Sequence, residues 1–538
     1  MLNKIWLALF IIGIIAAFST DIFESASGKY KNGTPVPVKM IFKNPPSAGQ
    51  AEGKVIFDEG DLNSIYGIKV NAPVEQDAKV TMNEELNGGA VIIMTNSKTP
   101  SIFNQIARVS GKENDITGSI PQLVKVDSLN YKGTVILEEA SFVKMQNITT
   151  SAFDSAKTAV TIALGLIGIM ALWLGIMKVA EEAGLLKIIA NALRPITRFL
   201  FPEVPQDHPA MGAMVMNISA NMLGLGNAAT PFGLKAMEEL DKLNPEKGSA
   251  TNSMCTFLAI NTAGLTLIPA TAIAVRAASG SSNPAIIIGT SIFGAACATI
   301  AGITAAKTFE KISNKNFNKK SLLPFLLKTA GVLLILLLCV FLLIKTGALK
   351  SASSGFVTGL KSAMQIISIT AIPLIILTFL SYAFLKKVKV YESFVEGAKE
   401  GFNVAIKIIP YLVAMLCAIA VFRSGGGMDF LVSVLSPATN LIGMPGEALP
   451  MAFLRPLSGS GSLGLMSEIM ATHGPDSFLG VLVSTMFGST ETTFYVIALY
   501  FGSVNIKKTR HALASGLIAD LFGMLGALFI VRLLFGLL

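Results

Sequence analysis

"RPLSGSGSLGLM", residues 455–466, lies between two apolar runs and carries an arginine, a proline, three serines and three glycines. A helix crossing lipid tolerates this mixture badly. Each backbone group left unpaired in hydrocarbon costs several kcal/mol, and irregular backbone survives at membrane depth only where protein or a wet cavity covers it. The rest of the chain makes that setting the relevant one. Its 538 residues are 52% hydrophobic and 14% charged, with a mean hydropathy of +0.61. Apolar segments recur at about 158–179, 209–227, 252–277, 284–306, 323–346, 364–385, 402–423, 449–467, 477–501 and 512–537. This pattern predicts a polytopic α-helical membrane protein. Two weaker stretches, 184–201 and 428–443, carry Pro195 and Pro437 and read as interfacial helices.

Composition removes several classes. The net charge of +9 comes from lysines and arginines in short loops beside apolar runs, such as Lys315, Lys319 and Lys320, Lys386, Lys387 and Lys389, or Lys507, Lys508 and Arg510. They read as cytoplasmic anchors, not as a nucleic-acid surface. Cys255, Cys297, Cys339 and Cys417 all lie in apolar segments without paired spacing, so disulfides and thiolate metals are not expected. His208, His473 and His511 are too few and too scattered for a histidine metal site, and no cofactor is implied.

The first apolar run, 5–18, is shorter than the ~20 residues of a spanning helix and has no clean cleavage site after it, so an uncleaved signal anchor is expected over 1–23. From 24 to 147 the composition changes. That insert holds 13 basic and 14 acidic residues, leaving 30 and 20 for the rest, and its near-neutral balance suits an extracytoplasmic position. "VPVKMIF", "GKVIFD", "GIKVNA", "AKVTMN", "AVIIMT" and "KGTVILEEASFVK" read as short strands, and Asn87-Gly88 as a hairpin turn between two of them. A small all-β sandwich or half-barrel is expected, serving as a binding or docking module.

The membrane part contains an internal repeat. An offset of 242 places Ala156-Lys157 on Ala398-Lys399 and Pro195 on Pro437; further on "NISANMLGLG" from Asn217 meets "PLSGSGSLGL" from Pro456, and later still "TLIPATAIAV" from Thr266 lies against "TETTFYVIAL" from Thr490. Basic loops at 307–320 and 386–389, placed in the cytoplasm, give the two copies opposite orientations. Inverted repeats with matching broken helices are a recurrent plan of secondary transporters, with substrate sites near the midplane at the repeat interface. The expected divisions are a first copy over 148–310, linking helices over 311–390 and a second copy over 391–538.

Each copy has two breaks: "NISANMLGLGNAATP" and "AINTAGLTLIP" in the first, "RPLSGSGSLGL" and "FGSTETTF" in the second. Glycine frees the backbone, while serine, threonine and asparagine both donate and accept hydrogen bonds. The competing reading is that small residues only let helices pack closely. The breaks nominate Asn217, Ser219, Asn221, Asn227, Asn261, Thr262, Thr266, Ser458, Ser460, Ser462, Ser489, Thr490 and Thr492 as substrate contacts. Arg455 and Glu491 bring charge into apolar surroundings, which is expensive and marks either a mutual ion pair or a substrate contact. Glu491 suits ligand hydroxyls, protons or a cation; Arg455 suits a phosphate or carboxylate. An enzyme is not expected, because a serine nucleophile needs a base and His208 and His473 sit in loops at membrane edges.

These same stretches resemble two known families. "SAFDSAKTAVTIALGLIGIMALWLGIMKVAEEAGLL", "NISANMLGLGNAATPFGLKAM" and "FLAINTAGLTLIP" are similar to spore maturation protein A, and "RPLSGSGSLGL" with "GSTETTFYVIALYFGSV" to spore maturation protein B. The resemblance covers the opening helix and nearly everything beyond about residue 151, and implies an A–B fusion. The β-rich insert and the helix at 323–346 are departures from it. Both families carry the nucleoside-recognition or Gate domain, shared with concentrative nucleoside transporters. In those transporters a Gly-Gln-Thr-Glu stretch contacts ligand, and residues 488–491, Gly-Ser-Thr-Glu, are similar with serine replacing glutamine.

The expected architecture is therefore two inverted-topology Gate-type repeats with broken or re-entrant helices, plus the extracytoplasmic β domain after the first helix. The expected function is an inner-membrane permease moving a small polar solute such as a nucleoside, with Glu491 coupling it to protons or sodium. Two alternatives stand beside it: an envelope scaffold whose β domain binds an envelope component, and a flippase in which Arg455 meets a lipid phosphate. Expected partners are membrane lipids, a small polar or phosphorylated substrate, an envelope partner and further copies of the chain, with no nucleic acid.

Overall fold

The computed structural model describes residues 2–96, 99–109, 115–313 and 354–535. The expected helix at 323–346 lies outside the described residues. Two compact units emerge: one of residues 6–154 with 417–430, the other of residues 1–5, 155–416 and 431–538.

The first unit holds α1 (Leu2–Ala26) and a closed antiparallel barrel of β1 (Val36–Phe42), β2 (Gly49–Phe57), β3 (Val74–Met82), β4 (Gly89–Met94), β5 (Asp115–Lys125) and β6 (Asn130–Leu137), with β6 pairing back onto β1. Alternation drives it. Val36, Val38, Met40 and Phe42 point inward along β1, as do Gln76, Ala78, Val80 and Met82 along β3. Asn87-Gly88 ends the loop joining β3 to β4, as the hairpin signal predicts.

Four readings of this region change. The insert is not all-β, since α2 (Glu59–Tyr66) and α3 (Ser101–Val109) interrupt the strands. Asp58 caps α2 by accepting from the Gly60 amide at 3.0 Å, and α3 buries Ile102, Phe103, Ile106 and Ala107, with Phe103 edge-on to Phe57. "GIKVNA" is loop, because its first residue, Gly67 (φ 65°), is the left-handed cap that ends α2. β5 is an unforeseen strand, broken in register between Ser119 and Gln122 where Pro121 has no amide to donate. Finally, "SFVK" starts a helix: α4 (Val143–Glu182) begins there, its first amides at Lys144 and Met145 capped by the Asp21 carboxylate at 2.8 and 2.9 Å.

The second unit is helical. After α4 come α5 (Leu185–Leu200), α6 (Pro209–Met222), α7 (Gly226–Lys242), α8 (Asn252–Ala263), α9 (Ala270–Ala278) and α10 (Ile287–Ser313). Then follow α11 (Ser354–Leu385), α12 (Val390–Ser424), α13 (Gly427–Ile442), α14 (Leu449–Leu457), α15 (Gly459–His473), α16 (Phe478–Ser489), α17 (Thr493–Ser503) and α18 (Ala512–Phe535). Among the described residues five helices are long and apolar enough to cross a membrane: Trp6–Ala26, Val143–Glu182, Pro284–Ser313, Val390–Ser424 and Ala512–Phe535. The first of these runs 21 residues, so α1 is longer than its apolar core suggests.

Segment 364–385 is unbroken within α11, and four further apolar segments are split, as their composition predicts, but the splits are shorter than expected. The first is confined to 223–225 and the second to 264–269. The third is a single extended residue, Ser458 (φ −154°, ψ 115°), so the Ser-Gly run after it is helical in α15. There the small residues serve packing: a Cβ on Gly464 would come 2.6 Å from Met415 Cβ of α12. The fourth is the extended stretch 490–492.

Candidate functional site

The breaks meet one another through backbone bonds. Leu267 N donates to Met222 O at 2.8 Å, joining the two breaks of the first half. Glu491 N donates to Thr262 O at 2.8 Å, joining the first half to the second. This close approach requires Gly264, which has φ 56° and would set a Cβ 2.9 Å from Glu491 Cγ.

Beside this junction is a cavity of about 380 Å³, within the size range of small-molecule sites. Asn221, Thr266, Arg455, Thr490 and Glu491 all line it, together with Phe487. Lys178 and Glu181 of α4, paired at 3.4 Å, and Glu400 of α12 add charge to its wall.

Arg455 sits in the last turn of α14 and is 3% exposed, while the Glu491 side chain is 51% exposed. Their closest atoms, Arg455 Nη2 and Glu491 Oε2, are 3.6 Å apart, so the pair is loose and its carboxylate remains open to the cavity. The guanidinium is held instead by the Thr490 carbonyl, to which Nη2 donates, and by the Phe487 ring, whose centroid lies 4.2 Å from Cζ. Both are negative partners, since the break exposes carbonyls at the C-terminal end of α16 and the ring face carries a negative quadrupole.

Asn217, Ser219, Asn261, Thr262, Ser458, Ser460, Ser462, Ser489 and Thr492 do not line the cavity. Asn217 donates to Ala229 O at 2.8 Å and to Tyr500 Oη at 3.2 Å. Asn261 accepts from Asn221 Nδ2 at 3.0 Å and so orients a residue that does face the cavity. Ser219, Ser462 and Ser489 turn their hydroxyls back onto carbonyls of their own turns at Val215, Gly459 and Thr485. Ser458 caps α15 by accepting from Gly461 N at 2.9 Å and lies 3.4 Å from the Ser460 hydroxyl. Thr262 contributes its carbonyl, and Thr492 is buried beside Gly459 with its hydroxyl unpaired. The side chain of Asn227 lies outside the described residues.

Two charged residues were not singled out from the sequence. Asp520, alone in the apolar run of α18, is 2% exposed and accepts from Thr493 Oγ1 at 2.5 Å. Arg276, at the end of α9, is fully buried and donates to Pro475 O at 2.6 Å, Ser484 Oγ at 3.1 Å, Ser281 Oγ at 3.1 Å and Asp476 Oδ1 at 2.8 Å. A lone charge inside an apolar run is the signal that marks both.

Comparison with known proteins fits this construction. The family model for nucleoside recognition, Gate, matches residues 163–278 and 405–507. Spore maturation protein B of Bacillus subtilis (strain 168) is 54% identical over 170 residues, 32% of this chain and 96% of that protein. Spore maturation protein A of the same organism is 48% identical over 165 residues, 31% of this chain and 84% of that protein. Inner membrane protein YjiG of Escherichia coli (strain K12) is 29% identical over 86 residues, 16% of this chain and 56% of that protein. No solved structure matches. The A-like and B-like matches cover different halves, consistent with a fusion, so this multi-pass membrane chain belongs to the family of spore maturation proteins A and B and carries the Gate nucleoside-recognition domain.

Proposed function

We propose that the chain is an inner-membrane permease that passes a small polar solute, a nucleoside being the leading class, through the cavity where the broken helices meet. The observation that carries this reading is the cavity itself. It combines polar and apolar walls, lies where two unwound backbones touch, and is lined from both halves by Asn221, Thr266, Arg455, Thr490 and Glu491. Glu491 faces it with a half-exposed carboxylate suited to ribose hydroxyls, while Asn221 and Thr266 offer both donors and acceptors.

An inverted-repeat plan goes with this proposal. It is supported by the recurring order of a long helix, a proline-bearing helix, two split segments and a final long helix, seen once from α4 to α10 and again from α12 to α18. The two Gate matches begin at 163 and 405, the offset that also registers Ala156-Lys157 on Ala398-Lys399. Reading the basic loops as cytoplasmic supports opposite orientations for the halves and an extracytoplasmic barrel. The lipid-phosphate alternative draws less support, because the Arg455 guanidinium is already engaged by Thr490 O and Phe487.

The test is uptake of labelled nucleosides by proteoliposomes. Wild-type protein is expected to accumulate at least one of them and Glu491→Gln to lose that uptake; uptake unchanged by the substitution removes Glu491 from the solute path.

A further inference from the structure

Asp520 lies midway along α18, 2% exposed, with Oδ2 accepting from Thr493 Oγ1 at 2.5 Å. Its other oxygen, Oδ1, is buried without a partner, and so is Oγ1 of Thr490. The two residues belong to one contact. A Cβ on Gly523, three positions along α18 from Asp520, would come 2.5 Å from Thr490 Cγ2. The Thr490 hydroxyl carries its own hydrogen and meets Oδ1 whether or not the acid is ionised, but a carboxylate 2% exposed with no cation bonded to it bears the desolvation cost of its charge, and a proton removes that cost.

The charge count points the same way. Arg455 of α14 and Glu491 of the α16–α17 break are the charged groups acting on Asp520, so one guanidinium faces two carboxylates. Among the described residues, the elements packed around α18 bring no cation other than Arg455 to bear on Asp520. On α10, Cys297 packs against Gly526, and Lys307 is spent on Glu310 at 2.8 Å. On α8, Thr262 faces Gly516; α16 carries no ionisable side chain, and Tyr500 of α17 is bonded to Asn217. Two free oxygens are too few for a bare metal cation, which takes six or more ligands when hard and divalent, but they suffice for one proton.

We propose that Asp520 is a proton-binding site: a proton taken up on Oδ1 makes the carboxylic acid a donor to Thr490 Oγ1 while Oδ2 keeps its bond from Thr493. Release leaves the carboxylate and returns one proton; no covalent bond other than O–H breaks, and the hydrogen bond between Oδ1 and Thr490 Oγ1 reverses, the hydroxyl donating. Thr490 also gives its carbonyl to Arg455 and adjoins Glu491, so the state of Asp520 is transmitted to backbone that lines the cavity. That link makes the site a coupling site, a consequence that rests on the permease reading; protonation itself does not.

Infrared difference spectroscopy of the purified full chain, titrated from mild acid to mild alkali, tests the proposal directly. A protonated-carboxyl band that disappears as pH rises is expected in the wild type and in Glu491→Gln, absent in Asp520→Asn, and present but displaced in Asp520→Glu. A band unchanged in Asp520→Asn, or the same spectral change produced by sodium at fixed pH, overturns it. Should Asp520→Asn not fold, Thr490→Val keeps the carboxyl and removes its neighbour, and is expected to move the band; an unmoved band overturns the proposal equally. In proteoliposomes, Asp520→Asn is expected to abolish the dependence of nucleoside uptake on an imposed proton gradient. If wild-type protein moves no nucleoside, the permease reading fails while the infrared titration still decides the proton site.

Discussion

Replacing Arg455 by methionine separates the two roles of the site's central cation. The guanidinium provides a charge-assisted hydrogen bond to the Thr490 carbonyl, ~1.5–3 kcal/mol, and a contact with the Phe487 ring 4.2 Å away, ~0.5–2 kcal/mol. The ion pair to Glu491 adds little, since its atoms are 3.6 Å apart and the carboxylate is half exposed. Removing the buried charge also relieves a desolvation penalty that offsets part of this loss. Methionine fills much of the same volume, so the net loss is expected to be about 1–2 kcal/mol. The assay is reversible denaturation in detergent as a double-mutant cycle with Glu491→Gln. A coupling energy below about 1 kcal/mol is expected. Coupling above about 3 kcal/mol would mean that the two side chains form a closed buried pair, and the reading of Glu491 as a cavity group would fall.

Three further perturbations follow from named contacts. Gly264→Ala combines a left-handed backbone (φ 56°) with a Cβ 2.9 Å from Glu491 Cγ, so it is expected to lose ~1 kcal/mol or more and to impair uptake. Gly168→Ala in α4, which meets nothing within 4 Å, is its control; equal thermal stability of the two variants would contradict the close approach. Asp476 accepts from Ser281 Oγ, Ser282 N and Ser282 Oγ and pairs with Arg276; partial burial pushes its carboxyl up, but these donors outweigh it and hold the group below the usual aspartate range. A carboxyl depressed in the folded state stabilises above its unfolded value and stops doing so as pH falls through its folded one, so melting temperature is expected to drop below about pH 4 and Asp476→Asn to remove that part of the drop. Finally, a protease site introduced between 313 and 354 is expected to yield two pieces that co-elute in detergent, because Arg276 to Asp476, Asn217 to Tyr500 and Glu491 to Thr262 all bridge the cut; pieces that separate would refute a site shared by both halves.

The parts of this structure legible in the sequence are those where one physical signal dominates. β1 and β3 announce themselves because alternate residues must enter the barrel. The split membrane segments do so because glycine, serine and threonine in apolar runs are otherwise unfavourable, and Arg455 and Glu491 because charge at membrane depth is rare. What escaped was governed by competing signals. β5 is masked by Gly118 and Pro121, which punctuate a strand that survives through a bulge. "SIFNQIARV" carries a helical period, yet it is short and lies among strand-like runs. The Ser-Gly run of α15 has the composition of a loop, but tertiary contact with Met415 makes its small residues a helix-packing surface. Of the fifteen nominated side chains, those facing the cavity could not be told from those bonded back to their own turns, because composition does not fix where a hydroxyl points.

The central claim, that the junction of the broken helices is a solute site, is tested most directly by a cryo-electron microscopy map of the full chain with saturating nucleoside. The account predicts density in the cavity, bounded by Asn221, Thr266, Thr490 and Glu491, that is absent from a ligand-free map and lost in Glu491→Gln. A bound nucleoside located elsewhere, or a cavity that stays empty under conditions in which the protein transports that nucleoside, would contradict it.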